Sequence, residues 1–198
     1  MSFVVEDPLA LFSQWLEEAA KSEPNDPNAM SLATVDADGT LSNRIVLLKG
    51  HDEKGFRFFT NYEGRKAQAL SANPRAAALF HWKTLERQVR IEGPVEKLSA
   101  EESQAYYDSR ARGSRIGAWA SLQSQPLPHR SALEDRIAEF DKRFEGQETF
   151  TKPDYWGGYI IKPMALEFWR AGEYRLHERV RLERASLDAD WSQSPLFP

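Results

Sequence analysis

Between Ala29 and Leu98 the sequence carries five short apolar runs, divided by turn-forming residues and one short helical stretch, and this spacing narrows the fold more than any other feature. "AMSLATV" and "LSNRIVLL" flank the turn-forming "DADG", so residues 29–35 and 41–48 read as a β-hairpin. "GFRFFT" from Gly55 and "RAAALFHW" from Arg75 read as third and fourth strands, with the helix "RKAQALSAN" between them. "RQVRIEGPVEKL" is a fifth, whose Gly93 and Pro94 suggest a bend or bulge on an edge. Mostly antiparallel strands with short connections predict a closed barrel or sandwich.

Helices flank these strands. Asp7 is placed to cap and Pro8 to open a helix in which Leu9, Phe12, Leu16 and Ala19 recur at helical spacing to about Lys21. Capping boxes, Ser99 with Glu102 and Ser131 with Glu134, open two more. The second is expected to bury Leu133, Ile137, Phe140 and Phe144. "GGYIIKPMALEFW" and "RVRLER" read as closing strands. The class is mainly β with flanking helices, α+β. Residues 1–198 form one domain, with 1–28 as an N-terminal helix and linker.

Composition excludes several chemistries. There is no cysteine, so disulfides and thiolate chemistry are out and the cytoplasm is the expected compartment. The N-terminus lacks the pattern of a signal peptide, and no stretch approaches the ~20 apolar residues of a membrane span. The four histidines are far apart in sequence, so no metal is expected. Nucleotide loops and the G-x-S-x-G elbow are missing. The net charge of −4 disfavours nucleic acid, so an anion must be held by a local cluster.

Cations supply such clusters. Over "RIVLLK", alternation puts Arg44, Val46 and Leu48 on one face and Ile45, Leu47 and Lys49 on the other, so the two charges point apart. In "TNYEGRK", Thr60, Arg65 and Lys66 sit where a helix begins, a place that favours a phosphate. "SRARGSRIGAWASLQS" adds Arg110, Arg112 and Arg115 among serines, after Tyr106 and Tyr107. In "EYRLHERV" a strand would align Arg175, His177 and Arg179, with Arg181 beyond, on one face and put Glu178 on the other. The competing reading is that these arginines are ion-paired to neighbouring glutamates.

Taken together, "RIVLLKG", "TNYEGRK", "LERQVRIEG", "SRARGSRIGAWASLQS", "WGGY" and "EFWRAGEYRLHERV" resemble, in order and spacing, the pyridoxamine 5′-phosphate oxidases over roughly residues 7–182. The resemblance implies an antiparallel split β-barrel that binds FMN at a homodimer interface. It implies oxidation of pyridoxamine or pyridoxine 5′-phosphate to pyridoxal 5′-phosphate, with O2 reduced to hydrogen peroxide. Position by position, it implies FMN contacts at Arg44, Ile45, Val46, Leu47, Leu48 and Lys49, at Phe59, Thr60, Arg65 and Lys66, and at Gln88, Gln123, Ser124, Trp169 and Arg179. Lys49, Tyr106, Arg110, Ser114, Arg175, Leu176 and His177 would hold the substrate, with Arg175, His177 and Asp26 as the catalytic group.

The match has departures. Gly64 stands where serine is usual, Ala111 for proline, Arg170 for glutamine, Glu178 for aspartate and Pro195 for arginine. A basic N-terminal segment that often covers the site in this family is not expected here. Two rival readings follow: a flavin oxidase of the same barrel acting on another substrate, such as those of phenazine biosynthesis, or a non-catalytic flavin or pyridoxal-phosphate binder.

Overall fold

The computed structural model describes residues 3–198. Helix α1, Pro8–Ser22, begins as its sequence dictates: the Asp7 carboxylate accepts from the backbone N–H groups of Leu9 and Ala10 at 2.9 and 3.0 Å, and Pro8 needs no hydrogen bond there. Its buried face carries Phe12, Trp15 and Ala19 into the main core. The Phe12 ring meets Phe56 and Phe80 edge-on, at 4.9 and 5.1 Å between centroids.

The hairpin forms as expected from β1 (Ala29–Val35) and β2 (Leu41–Leu47). A three-residue strand, β3 (Gly50–Asp52), precedes β4 (Gly55–Asn61) and was not legible beforehand. Helix α2 (Arg65–Ala72) leads to β5 (Arg75–Trp82) and then β6 (Arg87–Lys97). Later come β7 (Trp156–Ile161), β8 (Ala165–Arg170), β9 (Glu178–Glu183) and β10 (Ser192–Leu196). β10 was missed because "SQSPL" has neither an apolar run nor alternation.

The strands lie in the order β10-β9-β8-β6-β5-β1-β2, and β7 links the β3-β4 pair to β6. All pairings are antiparallel. β6 is therefore a central strand rather than an edge. Its residues 87–92 pair with β8, whereas 95–97 pair with β7. Gly93 sits at that change of partner, where a Cβ would collide with the Lys162 carbonyl oxygen. Lys162 N–H donates to the Pro94 carbonyl at 2.9 Å, and Met164 N–H to that of Glu92 at 2.8 Å. The bend expected at this pair is the point where one sheet opens into two.

A second core packs outside the sheet, among α3 (Ala100–Asp108), α4 (Arg112–Ala120) and α5 (Arg130–Arg143). The box at Ser99 and Glu102 forms in full. The box at Ser131 does not: α5 begins two residues earlier, His129 caps it by accepting from Ala132 N–H, and Ser131 instead pairs with His129. Phe140 and Phe144 are buried, but Ile137 is exposed, so the buried face of α5 is narrower than its apolar spacing implied. No helix among the described residues is long and apolar enough to cross a membrane.

Removing a fully buried ring where three elements meet leaves a cavity. Phe12→Ala should cost about 3–5 kcal/mol of unfolding free energy, and Asp7→Ala about 1 kcal/mol. Urea denaturation checks both, and a Phe12→Ala loss as small as that of the cap would contradict this packing.

Candidate functional site

A cavity of about 530 Å3 opens between β2, β4 and the second core. β2 is the outer strand of its sheet, with Leu41 and Ile45 exposed. Its residues Arg44, Ile45, Val46 and Leu47 form one wall, and Lys49 follows. Arg44 and Val46 are half-buried and Leu48 buried, whereas Ile45 and Lys49 are exposed, which fits the expected alternation; Arg44 and Lys49 nonetheless both line the cavity, which runs along this outer strand. Leu48 turns into the core.

The opposite walls bring together Phe59 and Thr60 of β4, Lys66 of α2, Tyr106 of α3, Arg110, Ala111 and Ser114 around the start of α4, then Gln123 and Trp156. Ala111 caps α4 without a side-chain hydrogen bond, which leaves the first N–H groups of that helix for another acceptor. Trp156 escaped the sequence reading, although "WGGY" carried the signal. Gly158, two residues on, allows the Phe59 ring to lie against the β7 backbone, since a Cβ would come within 2.8 Å of it.

The cations here have neutral partners. Lys66 Nζ donates to Thr60 Oγ1 at 3.0 Å and Gln123 Oε1 at 2.7 Å. Burial holds its ammonium below the usual pKa, and the nearby Arg44 charge adds to this. Arg44 donates to the Leu32 carbonyl, Thr34 Oγ1 and Ser42 Oγ. Burial lowers its guanidinium too, and that of Arg110. Desolvated cations that lack a carboxylate are costly to hold, which points to an anionic ligand.

Arg65 and Ser124 lie in an adjoining open cavity of about 800 Å3, which shares Gln123. There Arg65 donates to Asp36 through Nε and Nη2, at 3.3 and 2.8 Å, and its N–H reaches Ser124 Oγ at 3.3 Å. Gly64 caps α2 without a side-chain bond, and a Cβ there would approach Gln123 Oε1 to 2.6 Å. Glycine in place of serine thus makes room for the amide that holds Lys66.

The remaining expected residues form a second group. Gln88, Trp169 and Arg179 stand side by side across β6, β8 and β9. The His177 ring lies 4.6 Å from that of Trp169. None of these lines the cavity of its own chain. The strand expected through Arg175 does not exist: Glu173–Arg175 is a 3-10 turn, with Tyr174 and Arg175 at φ 55° and 64°, and β9 starts at Glu178. Alternation therefore cannot align Arg175 and His177 with Arg179; a seven-residue hairpin loop presents them, with Arg175 and Leu176 exposed. Asp26 is exposed in the turn before β1, at φ 38°.

Ion pairing accounts for the strand arginines. Arg179 donates to the buried Glu167 at 2.9 and 2.7 Å and to the Phe197 carbonyl at 3.0 Å. Arg181 bonds Glu92 and Glu183. Glu178 faces Arg170 directly across β8 and β9 and pairs with it, which holds the glutamate below its usual pKa. Two departures from the family pattern are thus one contact at the neck of the hairpin, and Arg170 also lies over the Phe3 ring.

Residues 16–144 match the family model described as pyridoxamine 5′-phosphate oxidase, and residues 156–198 match the pyridoxine 5′-phosphate oxidase C-terminal dimerisation region. A pyridoxine/pyridoxamine 5′-phosphate oxidase of Caulobacter vibrioides is 56% identical over 98% of this chain and 86% of its own length. One from Brucella canis is 53% identical over 97% and 94%. Among solved structures, PhzG from Burkholderia lata, in complex with tetrahydrophenazine-1-carboxylic acid, has a TM-score of 0.89 at 31% identity, over 98% of this chain and 94% of that one. An FMN-binding, pyridoxamine 5′-phosphate oxidase-related protein from Nostoc punctiforme shares the fold, with a TM-score of 0.77 at 16% identity, over 98% of this chain and all of that one. The fold is the split barrel of that group, as expected.

Arg170 and Glu178 remain partly exposed, so their coupling should be small. A double-mutant cycle with Arg170→Gln and Glu178→Gln, read by chemical denaturation, should give about 0.2–1 kcal/mol. Zero coupling would show that the two departures are independent.

Proposed function

The chain belongs to the pyridoxamine 5′-phosphate oxidase family, and on that premise we propose that it oxidises pyridoxamine and pyridoxine 5′-phosphate to pyridoxal 5′-phosphate, using FMN and passing electrons to O2. The observation that carries this reading is the set of half-buried cations with neutral partners around one cavity. Two phosphorylated ligands, a cofactor and a substrate, match that demand for negative charge better than one would.

The donor set fits FMN. Arg44, Lys66, Gln123 and Ser124, with Arg65 and the uncapped start of α2, supply N–H and hydroxyl donors suited to a phosphate. Ile45, Val46, Leu47, Lys49, Phe59 and Thr60 offer strand backbone and ring surface for a planar group, and the motif resemblance would add Leu48. Gln88, Trp169 and Arg179 stand apart from this wall, so we place them at the cavity of a second subunit in a homodimer. Residues 156–198, which match a dimerisation region, contain most of that second group.

The substrate phosphate would rest on Arg110, Ser114, Lys49 and the Tyr106 hydroxyl. Arg175, Leu176 and His177 would close over the ring from the hairpin loop, with His177 steadied against Trp169. Asp26 would be the acidic residue near the reacting carbon, as the resemblance implies. FMN, when bound, supplies a two-electron acceptor that oxygen regenerates. The protein's own part is alignment: a guanidinium and an imidazole on a strained loop fix the substrate's approach.

A second reading, oxidation of a different substrate, is favoured by the likeness to PhzG. Peroxide release separates the two: turnover with pyridoxamine or pyridoxine 5′-phosphate, but not with the dephosphorylated vitamers, supports the proposal, and no turnover with any of them sinks it. The purified protein should be yellow, with a flavin spectrum. Arg175→Leu should lower kcat/KM by 10-fold or more, equivalent to about 1.4 kcal/mol of transition-state stabilisation. Unchanged turnover would remove the loop from the mechanism.

A further inference from the structure

Arg110 reaches the cavity without a carboxylate partner. Its Nη1 is buried with no hydrogen-bond partner among the described residues, and none of the ion pairs found there includes it. What lies against it is a ring: the guanidinium carbon sits 4.9 Å from the centre of Trp156. Attraction between a cation and an aromatic face strengthens when both are withdrawn from water. An acid in the same place would hold Arg110 more strongly, but it would neutralise the charge and occupy the N–H groups that an anion needs.

We propose that Trp156 is the positioning residue of the anion site: a neutral, rigid platform that fixes the Arg110 guanidinium and leaves its donors free for a phosphate monoester. This rests on reading the cavity as the seat of a phosphorylated substrate. The platform is well braced. Trp156 stacks with Phe59 and Tyr106 at 5.6 and 6.2 Å and meets Tyr107 edge-on at 5.4 Å. Phe59 and Tyr106 stack on each other at 3.8 Å. Arg115 also lies over a ring, Phe150, at 4.8 Å, with Nε and Nη1 unpartnered. Neither Arg112 nor Arg115 lines the cavity, and Arg112 is paired with Asp141.

A residue that only fills the core would lower stability, flavin content and turnover together. A positioning residue acts on phosphate affinity. Trp156→Phe and Trp156→Leu, made in the full-length flavin-loaded protein, should be compared by kcat and KM for pyridoxamine 5′-phosphate and by Kd for inorganic phosphate from calorimetry. The expected result is a rise of 10-fold or more in both KM and phosphate Kd for Trp156→Leu and of about 2- to 5-fold for Trp156→Phe, with kcat within about 3-fold of wild type. Unchanged phosphate affinity in Trp156→Leu overturns the proposal, as does a fall in kcat, flavin content and Tm with no rise in phosphate Kd. Should the leucine variant fail to fold, the phenylalanine variant decides by the same phosphate measurement. If the wild type binds phosphate yet does not oxidise the vitamers, the activity reading fails, while loss of phosphate affinity in the variants still upholds the role of Trp156.

Discussion

The architecture depends on one strand changing partners. β6 pairs with β5 from Arg87 to Pro94, but on its other edge it gives residues 87–92 to β8 and 95–97 to β7. Both contacts are satisfied only because the Lys162–Met164 link presses against a residue with no side chain, Gly93. From that point β7 carries Trp156 towards the cavity, while β8 and β9 carry Trp169 and Arg179 elsewhere. The division of the candidate residues into two groups follows from this, which is why the proposed site draws on a second subunit.

Charge is handled differently in the two groups. Around the cavity, amides, hydroxyls, carbonyls and rings take the places that carboxylates usually fill beside buried cations. On the β6-β8-β9 face, Glu167 and Glu92 satisfy Arg90, Arg179 and Arg181 within the chain. One region keeps its positive potential available for a ligand, and the other spends it on cohesion. An acidic protein can therefore present an electropositive cavity without a basic surface.

Most of the sheet was legible because its strands are short, alternating and bounded by turn residues, so pattern and burial agree. The failures are local and have physical causes. β3 and β10 are held by pairing rather than by an apolar pattern of their own. Ser131 has no capping role because α5 begins two residues earlier, with His129 as its cap. The alternation argument failed at Arg175, because it assumed that the strand extended back beyond Glu178, where its pairing starts. Trp156 went unweighed because an aromatic at a strand start reads as core, which it also is. The division into two groups was not derivable from composition or periodicity, since it depends on which strand β6 abandons.

The hairpin loop between β8 and β9 brings these threads together. Two consecutive residues other than glycine, Tyr174 and Arg175, adopt positive φ, a conformation that costs of order 1–3 kcal/mol each and persists only where the surroundings enforce it. Here the surroundings do: Arg170 clamps Glu178 at the neck, Gly172 N–H donates to His177 Nδ1, and His177 packs on Trp169. The strain falls on Arg175, the residue proposed above to close over the substrate. Replacing the usual glutamine and aspartate by an arginine and a glutamate keeps the neck closed with a longer, charged pair. The neck of the loop is thus closed by a contact between the two departing residues themselves, which accounts for both within the hairpin.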